Sequence, residues 1–457
     1  MAELALSQKP AYVSTTNACK LCKPLGACLA FRGVEGTVPF LHGSQGCATY
    51  MRRHLISHFR EPVDIASSSL GEKHAVFGGG PNLKKGLRNV IAKYRPRVIG
   101  LATTCLTETI GDDVPHLVRE FLAEEAGSGL APEIVSVSTP SYSGTHMEGF
   151  HAAVRSVVDT LAGPGEPTGA VNLLPGFVSP ADLRYLKEIL GDFGVTGTVL
   201  PDYSDTLDGP ALAEYPKIPA GGTPLAAIRG MGASSVTVEF GRTLDEAQTA
   251  GRLLSDRFSV PLRRLGTPIG LRETDRFFRT LEVISGRLTP EKHASERGRL
   301  VDAYVDGHKY VFGKRAVVYG EEDLVVGLAA FLAEIGVRPV LCASGGRSGN
   351  LARAIGEVTA DCLPEPPRTR EGVDFYELGE EVQTLAPDLL VGHSKGYPIA
   401  RKYDVPLLRV GFPIHDRFGG QRLLHLGYRG AQGLFDALVN ALLERKQTRG
   451  EVGYGYL

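Results

Sequence analysis

The sequence predicts an α/β protein built from three doubly wound units, each a parallel sheet covered by helices. Two observations lead to this prediction. Short apolar runs of strand length alternate with helix-length segments almost from one end of the chain to the other, and repeated strand–helix–strand units favour parallel sheets. With 457 residues the chain is also too long for one ordinary core, so two or three domains are expected.

The predicted strands are apolar runs bounded by turn residues or by helices. In chain order they cover residues 97–101, 133–137, 170–174, 198–200, 235–238, 316–319, 339–341, 388–391 and 406–410. The segments between them have helix length, and residues 180–194 and 324–335 show a clear helical pattern. We expect no short repeat of the solenoid type.

Turn-rich stretches divide the predicted units. Residues 163–169, with the sequence Gly-Pro-Gly-Glu-Pro-Thr-Gly, separate the first unit from the second, and a second break is expected within 285–314. We therefore predict domains at 1–165, 166–300 and 301–457, the last ending in a C-terminal helix. Ligands of such sheets collect beyond the carboxyl ends of the strands, so function is expected along one rim.

Composition and charge exclude several classes of function. An apolar content of 43% and a charged content of 22% describe a folded protein, and a net charge of -1 gives no long-range attraction to nucleic acid or to an anionic membrane. The amino terminus lacks the basic and apolar regions of a secretory signal. No uninterrupted apolar run of roughly 18 residues is present. We expect a cytoplasmic protein that neither binds nucleic acid nor spans a membrane.

Five of the seven cysteines lie in the first quarter of the chain, and three of these stand at predicted helix starts. Cys22 precedes Lys23-Pro24, Cys47 ends the glycine-bracketed turn His-Gly-Ser-Gln-Gly-Cys, and Cys105 directly follows a predicted strand. A helix start lowers the pKa of a thiol because its dipole and free amides favour thiolate. Thiolates are preferred ligands of iron and zinc, and separations of 25 and 58 residues suit an iron–sulfur cluster at one sheet rim.

The pair Cys19-x-x-Cys22 also permits other kinds of site. A zinc ribbon needs a second such pair, which the chain lacks, and a thioredoxin-like centre places its pair between a strand and a helix. Spacing alone leaves open both a metal cluster and a mixture of buried structural thiols with one reactive cysteine. Cys28, Cys342 and Cys362 are expected to be small core residues.

Two further groups of polar residues have ordinary explanations. His54 and His58 are spaced i, i+4, but the chain lacks the glutamate of an H-E-x-x-H site. A solvated or interface-facing basic face is therefore expected for these histidines rather than a zinc site. Asp112 and Asp113 follow Ile110-Gly111, and we expect them to cap a helix.

Nine motifs spread over the whole chain carry a family resemblance. In the amino-terminal third they are Cys-x-Pro-x-Gly-Ala (22–27), His-Gly-Ser-Gln-Gly-Cys (42–47), His-Phe-Arg-Glu-Pro-Val (58–63), Val-Phe-Gly-Gly (76–79), Thr-Thr-Cys-Leu-Thr-Glu-Thr-Ile-Gly-Asp-Asp (103–113) and Thr-Pro-Ser-Tyr (139–142). The carboxyl half adds Pro-Ile-Gly-Leu-Arg-Glu-Thr-Asp (268–275), Glu-Arg-Gly-Arg-Leu-Val-Asp (296–302) and Gly-Phe-Pro-Ile-His-Asp-Arg (411–417). Together they resemble the β-type subunit of the nitrogenase component 1 superfamily.

The resemblance implies three Rossmann-like domains and an α-type partner chain in an α2β2 heterotetramer. It implies that Cys22, Cys47 and Cys105 ligate an iron–sulfur cluster of the P-cluster type, either 8Fe-7S or 4Fe-4S, which is shared with the α subunit. Ser141 would ligate the same cluster when it is oxidised.

The same resemblance implies an electron path on either side of the cluster. Tyr50 would lie on the path to an active-site iron–sulfur cofactor held by the partner chain. Phe77 would lie at the docking surface for a homodimeric ATP-binding iron protein, the electron donor. That donor is expected to be a separate chain, since no G-x-x-x-x-G-K-[ST] loop occurs in this sequence.

Within the superfamily, the motifs favour a working oxidoreductase. Many scaffold subunits have lost the thiols that align with Cys22 and Cys105, and this chain keeps both. Residues 17–22 and 418–422 depart from nitrogenase proper, and molybdenum-type β subunits usually carry a longer amino-terminal extension. We therefore expect a β subunit of the methylthio-alkane reductase type, acting in C–S bond reduction. A cofactor-assembly scaffold subunit and the β subunit of a dinitrogen-reducing nitrogenase are the alternatives.

Overall fold

Three parallel sheets joined by helices make up the part of the chain that the computed structural model describes, residues 15–126 and 132–450. The predicted α/β architecture of three Rossmann-like units is confirmed. The amino-terminal segment, for which the sequence predicts no secretory signal, lies mostly outside these residues. Within them, every helix is either too short or too polar to cross a membrane.

The first sheet has four strands in the order β2-β1-β3-β4. These strands are β1 (Thr37–His42), β2 (Ala66–Ser67), β3 (Val98–Thr103) and β4 (Glu133–Val137). The helices of this unit are α1 (Lys23–Arg32), α2 (Gln45–Phe59), α3 (His74–Phe77), α4 (Gly80–Tyr94), α5 (Cys105–Ile110), α6 (Val114–Glu125) and α7 (His146–Leu161).

The second sheet also has four strands, in the order β6-β5-β7-β8. These are β5 (Val171–Leu174), β6 (Gly197–Val199), β7 (Val236–Phe240) and β8 (Leu262–Leu265). Its helices are α8 (Pro180–Asp192), α9 (Leu225–Arg229), α10 (Ala250–Phe258), α11 (Gly270–Ser285) and α12 (Glu291–Val311).

The third sheet has five strands in the order β11-β10-β9-β12-β13. These are β9 (Arg315–Gly320), β10 (Arg338–Ser344), β11 (Arg368–Arg370), β12 (Leu389–Gly392) and β13 (Leu407–Arg409). Its helices are α13 (Glu322–Glu334), α14 (Leu351–Thr359), α15 (Phe375–Leu385), α16 (Tyr397–Lys402) and α17 (Gly427–Arg449). Each sheet lies inside one predicted domain range, and α12 spans the boundary predicted at 300. The boundaries remain predictions.

Parallel pairing brings the ends of β1 and β3 together at the rim of the first sheet. The two strands run in register from Thr37 beside Val98 to His42 beside Thr103. The turns that follow them, one leading to Cys47 and the other to Cys105, therefore leave the sheet side by side. This register is what places two distant cysteine motifs at one edge.

Helices α1 and α7 cross with their backbones in contact. A Cβ atom on Gly26 would lie 1.6 Å from the carbonyl oxygen of His146, and one on Gly149 would lie 1.9 Å from that of Lys23. Only glycine permits so close a crossing. The crossing holds the amino-terminal end of α1, where Cys22 lies, against the segment that precedes α7.

Glu322, in the first turn of α13, is a buried carboxyl group whose ionisation is unfavourable. Its Oε1 accepts a hydrogen bond from the Ser348 amide at 3.2 Å. Burial raises the pKa of Glu322 from 4.5 to about 7, and the nearby carboxylates of Glu371 and Glu148 add to this effect. Between these two pH values the folded chain keeps a proton that the unfolded chain releases, so stability falls as pH rises through that window.

We expect Glu322→Gln to stabilise the fold by about 2 kcal/mol at pH 8 and to have little effect at pH 4.5. The Gln oxygen can still accept from Ser348, while the charge is removed. Thermal unfolding at the two pH values measures the difference. Glu357→Gln, at an exposed carboxylate paired with Arg353, is the control and should change stability little at either pH. An equal gain at both pH values would contradict the prediction.

Candidate metal centre

Three half-buried thiols lie at the starts of three helices in the first unit. Cys22 is the N-cap residue of α1, Cys47 lies in the first turn of α2, and Cys105 is the first residue of α5. Ser44 fixes the start of α2, because its side chain accepts from the Gly46 amide at 3.2 Å. The prediction that these cysteines occupy helix starts is confirmed.

The three thiols are close enough for their charges to interact. The pKa of Cys47 is raised, first by burial and then by the neighbouring thiolates of Cys22 and Cys105. The lowered pKa expected at a helix start is therefore wrong for Cys47, because desolvation and like charge outweigh the helix dipole. A bound metal group would remove this repulsion by supplying positive charge, so the donor set fits such a group.

Ser141 connects the segments that carry Cys22 and Cys105. Its backbone amide donates to Cys105 Sγ at 3.2 Å, and its hydroxyl accepts from the Lys23 amide, next to Cys22, at 3.2 Å. The structure thus brings together all four residues predicted as ligands. Their role as ligands remains a prediction.

The arrangement does not suit a single metal ion. Across residues 15–126 and 132–450, no three His, Cys, Asp or Glu side chains form a group that could hold one ion. Cysteine thiolates are the ligands that iron–sulfur clusters take, so the residue types of these three positions fit a cluster.

Two aromatic residues predicted to serve electron transfer are accessible. Tyr50, on α2 after Cys47, is 45% exposed. The pKa of its hydroxyl is raised by burial and by Cys22, which places Tyr50 beside the thiols. Phe77, at the end of α3, is 84% exposed. A large apolar side chain so exposed is available to a partner protein.

The remaining cysteines divide between the core and the surface. Cys28 and Cys342 are buried, as predicted. Cys19 is also buried, with Sγ 3.9 Å from His393 Nε2, and burial raises its pKa to about 12. Cys362 was expected in the core, but it is half-buried and its sulfur accepts from Arg272 Nη1 at 2.8 Å.

The solvated or interface-facing basic face expected for His54 and His58 is wrong for His58. This side chain is buried, and its Nδ1 accepts from the Ile414 amide at 2.9 Å. Burial lowers the pKa of His58 to about 3, so the ring is neutral. A contact between residues 58 and 414 is too distant in sequence for a local pattern to reveal.

The aspartate pair also differs from its predicted role. Asp113 caps α6 by accepting from the His116 amide at 3.0 Å, as expected. Asp112 does not cap that helix, and its carboxylate instead contacts His42 and Gly79. His42 stands at the end of β1 and opens the motif His-Gly-Ser-Gln-Gly-Cys (42–47). This position is the signal that could have identified the contact between His42 and Asp112.

A second buried histidine holds the segment that precedes Cys22. His146 Nδ1 accepts from the Leu21 amide at 3.3 Å, and His146 Nε2 lies 2.8 Å from Glu321 Oε1. Both side chains are buried. Sequence reasoning missed this pair, which joins the first unit to the third.

Comparison with known proteins finds relatives along nearly the whole chain. The family described as nitrogenase component 1 type oxidoreductase matches residues 22–443. The nitrogenase molybdenum-iron protein beta chain of Clostridium pasteurianum is 35% identical over 433 residues, covering 94% of this chain and 93% of the relative. The nitrogenase vanadium-iron protein beta chain of Trichormus variabilis is 36% identical over 443 residues, covering 94% of each chain.

A solved structure matches the fold over nearly the whole chain. The chain aligns with Nitrogenase Cp1 at pH 6.5 with a TM-score of 0.93 and 33% identity, covering 99% of this chain and 98% of that one. The molybdenum-type and vanadium-type relatives are almost equally identical to this chain, so overall identity does not distinguish the two types. The clostridial relative also matches over nearly its full length, so the extension expected of molybdenum-type subunits does not separate this chain from it.

Proposed function

Because the chain belongs to the nitrogenase component 1 family, as a β-type subunit of an oxidoreductase, we propose that it binds a P-cluster-type iron–sulfur cluster and relays electrons. Its ligands are Cys22, Cys47 and Cys105, with Ser141 beside them. The observation that carries the proposal is the grouping of three half-buried thiols at three helix starts, where burial and then Cys22 and Cys105 raise the pKa of Cys47. When the three sulfurs are ionised together they need compensating positive charge, which iron supplies.

A partner chain completes the site. Three thiolates are fewer than an iron–sulfur cluster takes, so the α-type subunit supplies the others in an α2β2 heterotetramer. The exposed rings of Tyr50, which is close to Cys22, and of Tyr142, which follows Ser141 in the chain, support an interface at this face, because aromatic residues are enriched at interface centres. The complex acts in the cytoplasm.

This chain holds and tunes the cluster rather than breaking substrate bonds. When bound, the cluster supplies one-electron redox chemistry. The Ser141 amide, donating to Cys105 Sγ, stabilises negative charge on that sulfur. Tyr50 lies on the path to an active-site iron–sulfur cofactor in the partner chain, and Phe77 docks the homodimeric ATP-binding iron protein.

We propose methylthio-alkanes as the substrate class, from the departures at residues 17–22 and 418–422. The step adds two electrons and two protons across a C–S bond, giving an alkane and methanethiol. Dinitrogen reduction is the second candidate, and the names of the nitrogenase relatives favour it.

The test is turnover by the anaerobically purified αβ complex with iron protein, ATP and reductant. Methylthio-alkanes, acetylene and dinitrogen are offered separately, and iron and sulfide are quantified on the same sample. We expect methanethiol and alkane from the first substrate. Ammonia formation alone would favour the second candidate, and a full iron content with no turnover of any substrate would favour a cofactor-assembly scaffold. A wild-type complex free of iron and sulfide would contradict the proposal.

A further inference from the structure

A chain of hydrogen bonds joins the exposed segment around Phe77 to His42, the first residue of the turn (42–47) that ends at Cys47. The Gly79 amide donates to both carboxylate oxygens of Asp112, at 3.1 Å each. The same carboxylate lies 3.0 Å from His42 Nε2. An ionised carboxylate can only accept, so Nε2 of His42 carries the proton. His42 Nδ1 is then free to accept from the Ser68 hydroxyl at 2.9 Å.

The far end of this chain reaches both cysteine turns. The Ser68 hydroxyl accepts from the amide of Gly43 at 2.9 Å, and Gly43 opens the turn that ends at Cys47. The His42 carbonyl accepts from the Thr104 amide at 3.2 Å and from the Thr107 hydroxyl at 3.0 Å. These two bonds hold the start of α5, whose first residue is Cys105.

The network is packed too closely to adjust at one point alone. His42 and Ser68 are buried. A Cβ atom on Gly79 would lie 2.6 Å from Asp112 Oδ2 and 2.8 Å from His42 Cε1, so only glycine fits there. In a close-packed interior a displaced group moves its neighbours. A shift of the Gly79 backbone must therefore be shared by Asp112 and His42.

Asp112, His42 and Ser68 are also the residue types of a hydrolytic triad, but that role does not fit. Ser68 is buried, and its hydroxyl is already engaged by His42 and Gly43. A nucleophile must be able to reach its substrate. The network therefore has a structural role and not a hydrolytic one. One end lies at the segment around Phe77, and the other lies at the turns that carry Cys47 and Cys105.

We propose that Asp112 and His42 are positioning residues that couple protein contact at Phe77 to the turns carrying Cys47 and Cys105. The inference rests on the proposed function, in which Phe77 meets the iron protein. Phe77 is exposed, and Gly78 after it is half-buried and has a positive φ of 80°. Contact at this segment moves the Gly79 amide, and the carboxylate and imidazole pass the displacement to both turns.

The test compares Asp112→Ala with the conservative Asp112→Asn, and with Asp113→Asn as the matched control. Asp113 is the neighbouring carboxylate outside the network, and Asn caps a helix about as well as Asp. Amide hydrogen exchange of the turns at residues 43–47 and 104–107 is measured in the αβ complex, with and without iron protein. Iron content, cluster reduction at an electrode and electron transfer from the iron protein are measured on the same samples.

In the wild-type complex and in Asp113→Asn, we expect the iron protein to change exchange at both turns. In Asp112→Ala we expect that response to be lost, with iron content and reduction at the electrode unchanged. Electron transfer from the iron protein should fall about tenfold or more, since a hydrogen bond to a charged group is lost. Asp112→Asn keeps an oxygen acceptor for Gly79 and should restore part of the response.

The coupling is overturned if both turns respond in Asp112→Ala as they do in the wild type. It is also overturned if Asp113→Asn loses as much of the exchange response as Asp112→Ala does. A third contrary result is a fall in cluster reduction at the electrode together with the fall in electron transfer from the iron protein. A wild-type complex without iron would count against the proposed function instead. Hydrogen exchange needs no cluster, so that measurement still decides the coupling.

Discussion

Cys47→Ala is expected to remove most of the cluster iron and to abolish electron transfer through this chain. Cys22 and Cys105 both raise the pKa of Cys47, so Cys47 is close to the other two proposed ligands. Helix α2 should still form, because Ser44 caps it and alanine has the highest helix propensity. Iron and acid-labile sulfide per chain, measured after anaerobic purification, report the loss directly.

The matched control is Cys28→Ala, which removes a fully buried thiol from the core side of α1. The lost sulfur contacts should reduce stability by about 1 kcal/mol, while iron content stays at the wild-type level. Together the two variants separate a ligand from a core thiol of the same residue type. Full iron and full electron transfer in Cys47→Ala would refute the assignment of the ligands.

Strands that are buried and apolar could be identified from the sequence. Strands whose residues are not typical of a strand were missed. Strands such as β4 and β12 are apolar runs, and the structure places them where predicted to within a residue or two. Strand β1 contains Pro39, which pairs beside Gly100 in the sheet interior, although proline usually argues against a central strand. Strand β11 reads Arg-Thr-Arg at a sheet edge, where no apolar signal is required.

The candidate site was predictable to the extent that its residues lie in motifs. Cys22, Cys47, Cys105 and Ser141 could be grouped from the sequence because each stands in a motif of the family. The contacts around them could not be predicted in this way. His42 meets Asp112 across 70 positions, and His146 meets Glu321 across 175. A local rule assigned Asp112 to a helix cap, and only the folded chain shows that its carboxylate has other donors.

Gly26→Ala is expected to destabilise the fold by more than about 4 kcal/mol, or to prevent folding. The added methyl group would lie 1.6 Å from the His146 carbonyl oxygen and 2.7 Å from the Phe150 backbone nitrogen. Backbone atoms of a packed helix cannot rotate away as a side chain would, so α1 must move off α7. That movement also breaks the bond between the Leu21 amide and His146, which holds the segment leading to Cys22. Thermal unfolding and iron per soluble chain measure both effects.

The control is Gly298→Ala, the same substitution in an exposed part of α12, where a Cβ atom meets nothing within 4 Å. Alanine there should stabilise the helix by up to about 1 kcal/mol, because glycine loses more backbone entropy on folding. Both variants replace glycine by alanine, but the expected changes in the free energy of unfolding have opposite signs. The difference therefore isolates the helix crossing from helix propensity. A Gly26→Ala chain that melts with the wild type and keeps its iron would show that α1 and α7 can separate without harm to the cysteine site.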